Sequence, residues 1–227
     1  MNDLYICIHY GFGDYVICYG MVRELAKRYD KLMLFAIPHR SPLHIDNICR
    51  LYDGIPNVFI LTNDPLNYKD VLYIGWDKFA EHIKIDQQTS FAKFFYDQAE
   101  VPINLLWDNF YFERDMDKEK EIYYKLGLKD GEEYIFLHDD PVRGFIIDRK
   151  HLPDLRIVHL VEHEDISILD ILYVVEKSKE VHAFTTGLVP FIDQMNIHHG
   201  SLNLHRYIRP LAYDQPILKL NWNIIDR

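Results

Sequence analysis

Apolar and polar positions follow two rhythms along this chain. Leu4–Tyr10 (LYICIHY) is a short apolar run of the kind that forms a buried strand. Gly11-Phe12-Gly13-Asp14 interrupts it. From Tyr15 to Tyr29 the spacing predicts a helix, with Val16, Met21 and Leu25 on one face and Arg23, Glu24, Lys27 and Arg28 solvated. Lys31–Pro38 predicts a second strand. Ser41 with Pro42 predicts the start of a helix reaching about Tyr52. Asn57–Thr62 and Val71–Trp76 predict two more strands. Strands alternating with helices in this way form a parallel sheet covered on both faces.

The pattern then loosens. Ser90–Glu100 and Lys118–Lys125 predict helices, and the aromatic stretch Asn104–Arg114 between them predicts a partly extended segment. Beyond Gly131 the alternation restarts. Strands are predicted at Tyr134–Leu137, Arg156–Leu160 and Glu180–Phe184, a helix at Leu169–Ser178, and another helix start after Thr185-Thr186-Gly187. The restart implies two similar α/β halves. The boundary falls between Phe112 and Gly131 and is placed so that residues 1–115 form one Rossmann-like half and 116–227 the other.

Composition narrows the function. Of 227 residues, 48% are hydrophobic and 26% charged, ordinary for a globular chain with a sizeable core. The formal net charge is −10, and no Lys/Arg run supplies the basic footprint that nucleic acid or an anionic membrane surface requires. Cys7, Cys18 and Cys49 are odd in number and lack metal spacing, so buried free thiols in a reducing compartment are expected. The first residues lack a basic segment followed by a long apolar one, and no apolar run approaches the roughly 18 residues of a membrane span. A cytoplasmic location is therefore expected.

Two loops carry the chemistry. The first is Tyr10-Gly11-Phe12-Gly13-Asp14, between a strand and a helix, where α/β sheets bind ligands. A dinucleotide fingerprint needs a third glycine, which is Val16 here, and an acid after the second strand, where Pro38-His39-Arg40 stands. An NAD(P)-dependent oxidoreductase is a weak rival on those grounds. Asp14 is either a helix cap or a general base that takes a proton from a hydroxyl. The second loop is Thr185-Thr186-Gly187, also between a strand and a helix. It suits a phosphate, or Thr186 is an ordinary cap.

Together these pieces resemble the heptosyltransferase-like branch of the GT-B glycosyltransferases. That family has a strand, then Ser/Gly-x-Gly-Asp, then a helix ending in Arg-Glu-Leu and a Tyr; this chain has Gly11 to Asp14, then Arg23-Glu24-Leu25 and Tyr29. The family's C-terminal Asp-Thr-Gly-Leu/Pro-x-His corresponds to Thr185-Thr186-Gly187-Leu188-Val189-Pro190, where Thr185 replaces the Asp and Pro190 the His. A strand ending in His-Pro-Gly with a basic residue after it corresponds to Leu137-His138-Asp139-Asp140 and Arg143.

The resemblance implies two Rossmann-like halves facing a cleft. It implies transfer of a sugar, with inversion, from a nucleotide-diphosphate sugar to a hydroxyl acceptor, without metal or cofactor. Asp14 becomes the base, and His9, Tyr10, Gly11 and Gly13 the acceptor side. His138, Arg143, Thr185, Thr186 and Gly187 become the donor side. Arg143 offers a planar fork of donors to a diphosphate, or simply pairs with Asp139 or Asp140. The rival from another class is a non-catalytic nucleotide-sugar or carbohydrate-binding protein. His182 is expected to be a satisfied sheet histidine, His198-His199 a surface loop, and Glu162-His163-Glu164-Asp165 solvated. Asp139-Asp140 lacks the separation of a metal-binding acid pair.

Overall fold

A computed structural model describes residues 2–9, 11–38, 41–75, 90–160, 165–197, 200–208 and 216–226. The chain divides into two compact units, Met1–Phe112 with Ala212–Ile217, and Glu113–Leu211 with Leu218–Arg227.

In the first unit β1 (Asp3–Ile8), β2 (Lys31–Phe35), β3 (Val58–Leu61) and β4 (Val71–Ile74) form a parallel sheet in the order β3-β2-β1-β4. Strands covered on both faces read as continuous apolar runs. Accordingly Ile6, Cys7, Ile8, Leu32, Leu34 and Phe35 are buried. The register sets Cys7 opposite Phe35 on one side and Tyr73 on the other.

Helix α1 (Phe12–Ala26) starts three residues earlier than its apolar spacing predicts. The cause is local. Gly11 is extended, and its N–H donates to the Asp14 carboxylate, which closes the first turn at Phe12. Helix α2 (His44–Tyr52) begins later than Ser41-Pro42 suggested, because the Ser41 hydroxyl accepts the Leu43 N–H in a turn that precedes the helix. Helix α3 (Phe91–Gln98) is followed by a one-turn helix α4 (Leu105–Asp108), where an extended segment was expected. Buried tyrosines find partners for their hydroxyls, as they must. Tyr15 donates to the Phe35 carbonyl at 2.8 Å and Tyr52 to the Tyr15 carbonyl at 2.7 Å. The Tyr96 hydroxyl donates to Ile17 O and accepts from Met21 N–H, so it inserts into the hydrogen-bond ladder of α1. Gly20 is where α1 meets α4: a Cβ there would lie 2.0 Å from the Leu105 carbonyl oxygen. Cys7 and Cys18 are buried free thiols, but Cys49 is exposed, on the solvent side of α2 rather than in the core.

In the second unit β5 (Tyr134–His138), β6 (Arg156–His159), β7 (Glu180–Ala183), β8 (Ser201–His205) and β9 (Trp222–Ile225) form a parallel sheet in the order β6-β5-β7-β8-β9. Its helices are α5 (Met116–Lys125), α6 (Leu172–Lys177) and α7 (Leu188–Met195). The predicted helix at Leu169–Ser178 is split into a 3-10 turn over Ile168–Asp170 and α6. The β5–β6 connection carries two 3-10 turns, Pro141–Arg143 and Arg149–His151. Asp193 on α7 guides the chain into β9: its carboxylate accepts the N–H groups of Lys219 and Leu220 and the indole N–H of Trp222.

Each unit is thus a Rossmann-like parallel sheet with helices. The strand order reverses between β1 and β4 in the first, and between β5 and β7 in the second. At such switch points the loops leave in opposite directions, and a crevice opens at the carboxyl ends of the strands.

Candidate functional site

The first switch point holds His9, Gly11 and Asp14. The His9 N–H donates to the Ile74 carbonyl at 3.0 Å, which ties the end of β1 to the end of β4. Asp14 Oδ2 accepts from Gly11 N–H at 3.0 Å and lies 3.1 Å from His9 Nδ1. One carboxylate oxygen therefore serves both the helix start and the imidazole. The cap reading of Asp14 is realised, and it leaves room for chemistry. His9 is the outer partner, its side chain 43% exposed against 20% for Asp14. Gly13 is the second residue of α1. Tyr10 lies outside the described residues.

Sequence reasoning missed one residue here. Gly75, directly after β4, has a positive φ of 83°, and a Cβ on it would lie 2.5 Å from Phe95 Cε1 and 3.2 Å from His9 Cβ. Only glycine allows this approach. Its N–H donates to Gln98 Oε1 at 2.8 Å. The available signal was a glycine immediately following a predicted strand.

The second switch point gathers His138, Asp139, Asp140 and Arg143 after β5, and Thr185, Thr186 and Gly187 after β7. His138 pairs with Ala183 across the sheet, and its ring stacks over Phe184 with centroids 6.4 Å apart. Burial, then the nearby His159, push the His138 imidazole down to about 4, so it is neutral at physiological pH. Among the described residues its buried Nδ1 has no hydrogen-bond partner, and the same holds for Thr186 Oγ1. Helix α7 is preceded by Gly187 and has no side-chain cap, so Thr186 does not act as the N-cap. Two open polar atoms thus sit at adjacent strand ends, beside a helix N-terminus. Such atoms are rare in proteins and are normally matched by a ligand or solvent.

Asp140 and Arg143 belong to a tight hairpin. The backbones of Asp140 and Phe145 exchange hydrogen bonds, and Gly144 takes the left-handed conformation the turn needs, with φ 74°. Arg143 Nε is paired with Asp140, the salt bridge left open by the sequence, and its guanidinium lies 5.0 Å from the Phe145 ring centroid. Among the described residues its two Nη groups make no further bond, so the outer edge of the guanidinium remains available to an anion.

Asp139 is structural. It is fully buried, accepts the Ile147 N–H at 3.1 Å, and lies 2.6 Å from His159 Nε2 and 3.4 Å from Arg149 Nη1. Burial raises its carboxyl, but His159, the Ile147 N–H and Arg149 outweigh that and hold it below the usual carboxylate range. His182 is a satisfied sheet histidine, bonded to Glu180 and His205. His198, His199 and residues 162–164 lie outside the described residues.

The two switch points define an α/β protein with a Rossmann-like sheet in each unit. No family model matches the chain, and no curated protein matches its sequence. Solved structures do. The glycosyl transferase family 9 protein from Veillonella parvula DSM 2008 aligns with 99% of this chain and 85% of its own, at a TM-score of 0.53 and 7% identity. The Escherichia coli ADP-heptose LPS heptosyltransferase II aligns with 99% of this chain and 90% of its own, at a TM-score of 0.48 and 10% identity. The chain has the fold of the Veillonella glycosyltransferase, which is the fold its motifs imply.

Proposed function

We propose that the protein is a glycosyltransferase that moves a sugar from a nucleotide-diphosphate donor to a hydroxyl acceptor. One observation carries this reading: the motifs that resemble the heptosyltransferase-like family fall at the two topological switch points, one in each sheet. The acceptor belongs to the first unit, where its hydroxyl proton leaves through the loop of His9 and Asp14. The donor belongs to the second, where Arg143, the N-terminus of α7, His138 and Thr186 meet the diphosphate. As the bond to the anomeric carbon breaks, the charge growing on the diphosphate is held by the guanidinium and the helix N–H groups. Attack from the face opposite the leaving group inverts that carbon. The reaction is metal-independent in this reading, because arginine and helix dipole supply the positive charge.

The test is a thermal-shift screen of UDP-, ADP-, GDP- and CMP-sugars, followed by donor-consumption assays on whichever stabilises the protein. A donor present at 100 times its dissociation constant stabilises by about 2.7 kcal/mol. Stabilisation with turnover supports the reading. Binding without turnover, in the presence of hydroxyl acceptors, makes the protein a nucleotide-sugar-binding module instead. No shift with any donor overturns both.

A further inference from the structure

We infer that the cavity at the amino-terminal ends of β8 and β9 is a binding site for a neutral sugar residue, separate from the crevice proposed for the donor. It does not depend on the sugar-transfer reading. The cavity measures about 470 Å³ and is lined by Asn196, Ser201, Asn221 and Asn223, with Leu202 and Leu220 as its apolar wall. That volume falls within the roughly 300–1,000 Å³ of small-molecule sites. β8 opens at Ser201 and β9 at Trp222, and the two strands run parallel. Their amino ends therefore lie at the end of the sheet opposite to the one that holds His138 and Thr186.

The lining selects the ligand. The chain carries a net charge of −10 and 26% charged residues, yet among the described residues no charged side chain lines this cavity. It has nothing to balance an anion or a cation. It offers carboxamides instead. No asparagine occurs between Asn109 and Asn196, so the second unit holds only Asn196, Asn203, Asn221 and Asn223. Three of them line the cavity, and Asn203 Oδ1 accepts from Asn223 Nδ2 at 3.3 Å, which orients the third. Asn196, Ser201 and Asn221 are exposed, and among the described residues their side chains make no hydrogen bond. A carboxamide carries N–H donors and an acceptor oxygen side by side in one plane. It can donate to one hydroxyl oxygen and accept from the next, the pattern that adjacent hydroxyls of a sugar ring present. The frame is ordered beforehand, which lowers the entropic cost of binding. Asp193 takes the N–H groups of Lys219 and Leu220 and the Trp222 indole N–H, fixing the chain on both sides of Asn221. Ser201 N–H donates to the Lys179 carbonyl, and a Cβ on Gly200 would lie 1.9 Å from that oxygen. The left-handed backbone of Asn196, φ 53°, accounts for an asparagine at the end of α7, but Asn221 and Asn223 have no such conformation.

The test titrates methyl glycosides of glucose, galactose, mannose and N-acetylglucosamine into the isotope-labelled full chain and follows the asparagine side-chain amide signals by NMR. At least one sugar is expected to move the signals of Asn196, Asn221 and Asn223 together. Asn221→Ala, and Asn196→Gly, which keeps the left-handed turn, should each weaken that sugar about two- to tenfold, the worth of a neutral hydrogen bond. Saturating ADP should not displace it. The inference is overturned if no sugar of the panel moves these signals, or if both variants bind the sugar as the wild type does. Displacement by ADP also overturns it, because the sugar then occupies the donor crevice. A donor that is turned over while these signals stay still leaves sugar transfer intact and removes only this site.

Discussion

His182 Nδ1 lies 2.9 Å from His205 Nε2, on the face that β7 and β8 share. The contact fixes a one-way chain of protons. With both rings neutral, Glu180 accepts from His182 Nε2–H, and His182 Nδ1 accepts from His205 Nε2–H. His205 Nδ1 then accepts from the Tyr207 hydroxyl at 3.3 Å, and that oxygen accepts the Asp148 N–H at 3.0 Å. The contact is lost once both imidazoles are protonated, because both facing nitrogens then carry protons.

Acid should therefore unfold the second unit early. Burial, then His182 and His151, push His205 down to about 4, and His138 is depressed to a similar value. Below an imidazole's ordinary value of about 6.5 the unfolded chain binds protons that the folded chain refuses. Stability is thus complete above that pH and declines as the pH falls toward 4, by up to about 1.4 kcal/mol per pH unit for each group. Urea unfolding at pH 7.5 and 5.0 measures this. Equal free energies at both would mean that the folded protein accepts these protons.

Glu119→Ala should be among the most damaging single changes. Glu119 is fully buried, takes Arg114 through two bonds of 2.9 and 2.6 Å, and accepts the Tyr173 N–H at 2.7 Å. Removing one partner of such a pair costs about 3–5 kcal/mol. Denaturant unfolding reads the loss, and a change under about 1 kcal/mol would show that the arginine finds other partners.

Gly20→Ala should disrupt the first unit without touching any proposed site residue. The added methyl would meet a backbone oxygen that no side-chain rotation can move aside. Overpacking of this kind costs about 1–3 kcal/mol or more. A melting temperature equal to wild type would mean that α1 and α4 separate freely.

Arg143→Ala should leave stability within about 1 kcal/mol, since its partly exposed pair with Asp140 contributes little. Affinity for ADP or UDP should fall about 10- to 100-fold, the worth of a charged hydrogen bond. Calorimetry that finds the same dissociation constant would confine Arg143 to its hairpin.

Nucleoside diphosphates should bind equally well with and without EDTA. The positive charge at the second switch point comes from Arg143 and the start of α7, and neither needs a cation. Binding abolished by chelation would overturn the metal-independent reading of that site.

Much of this was legible in the sequence because parallel strands advertise themselves. LYICIHY and KLMLFAIP are apolar throughout, and glycine marks the turn after the first. β8 and β9 were not legible, since Asn203, His205 and Asn223 interrupt their apolar pattern. These polar residues share a face and bond to one another or to β7, a tertiary fact with no local signature. The helix start at Phe12 escaped for a related reason, because a carboxylate two residues inside the helix sets it. Arg143 looked like a phosphate ligand and is also a hairpin clasp; residue type alone does not separate the two. The resemblance set His9 on the acceptor side, but only the fold of the loop brings its ring to Asp14.

The shared oxygen of Asp14 has an evolutionary reading. Folding of the first helix and orientation of the imidazole draw on the same atom, so no substitution at position 14 can trade one against the other. A library randomised there should not yield a stable, inactive majority with a few active, fragile members, the usual outcome when two roles are separable. It should yield aspartate and asparagine, whose side-chain oxygens can both accept the two contacts, under either selection. In the proposed reaction, position 14 is a point where the history of the fold and the history of the activity cannot diverge.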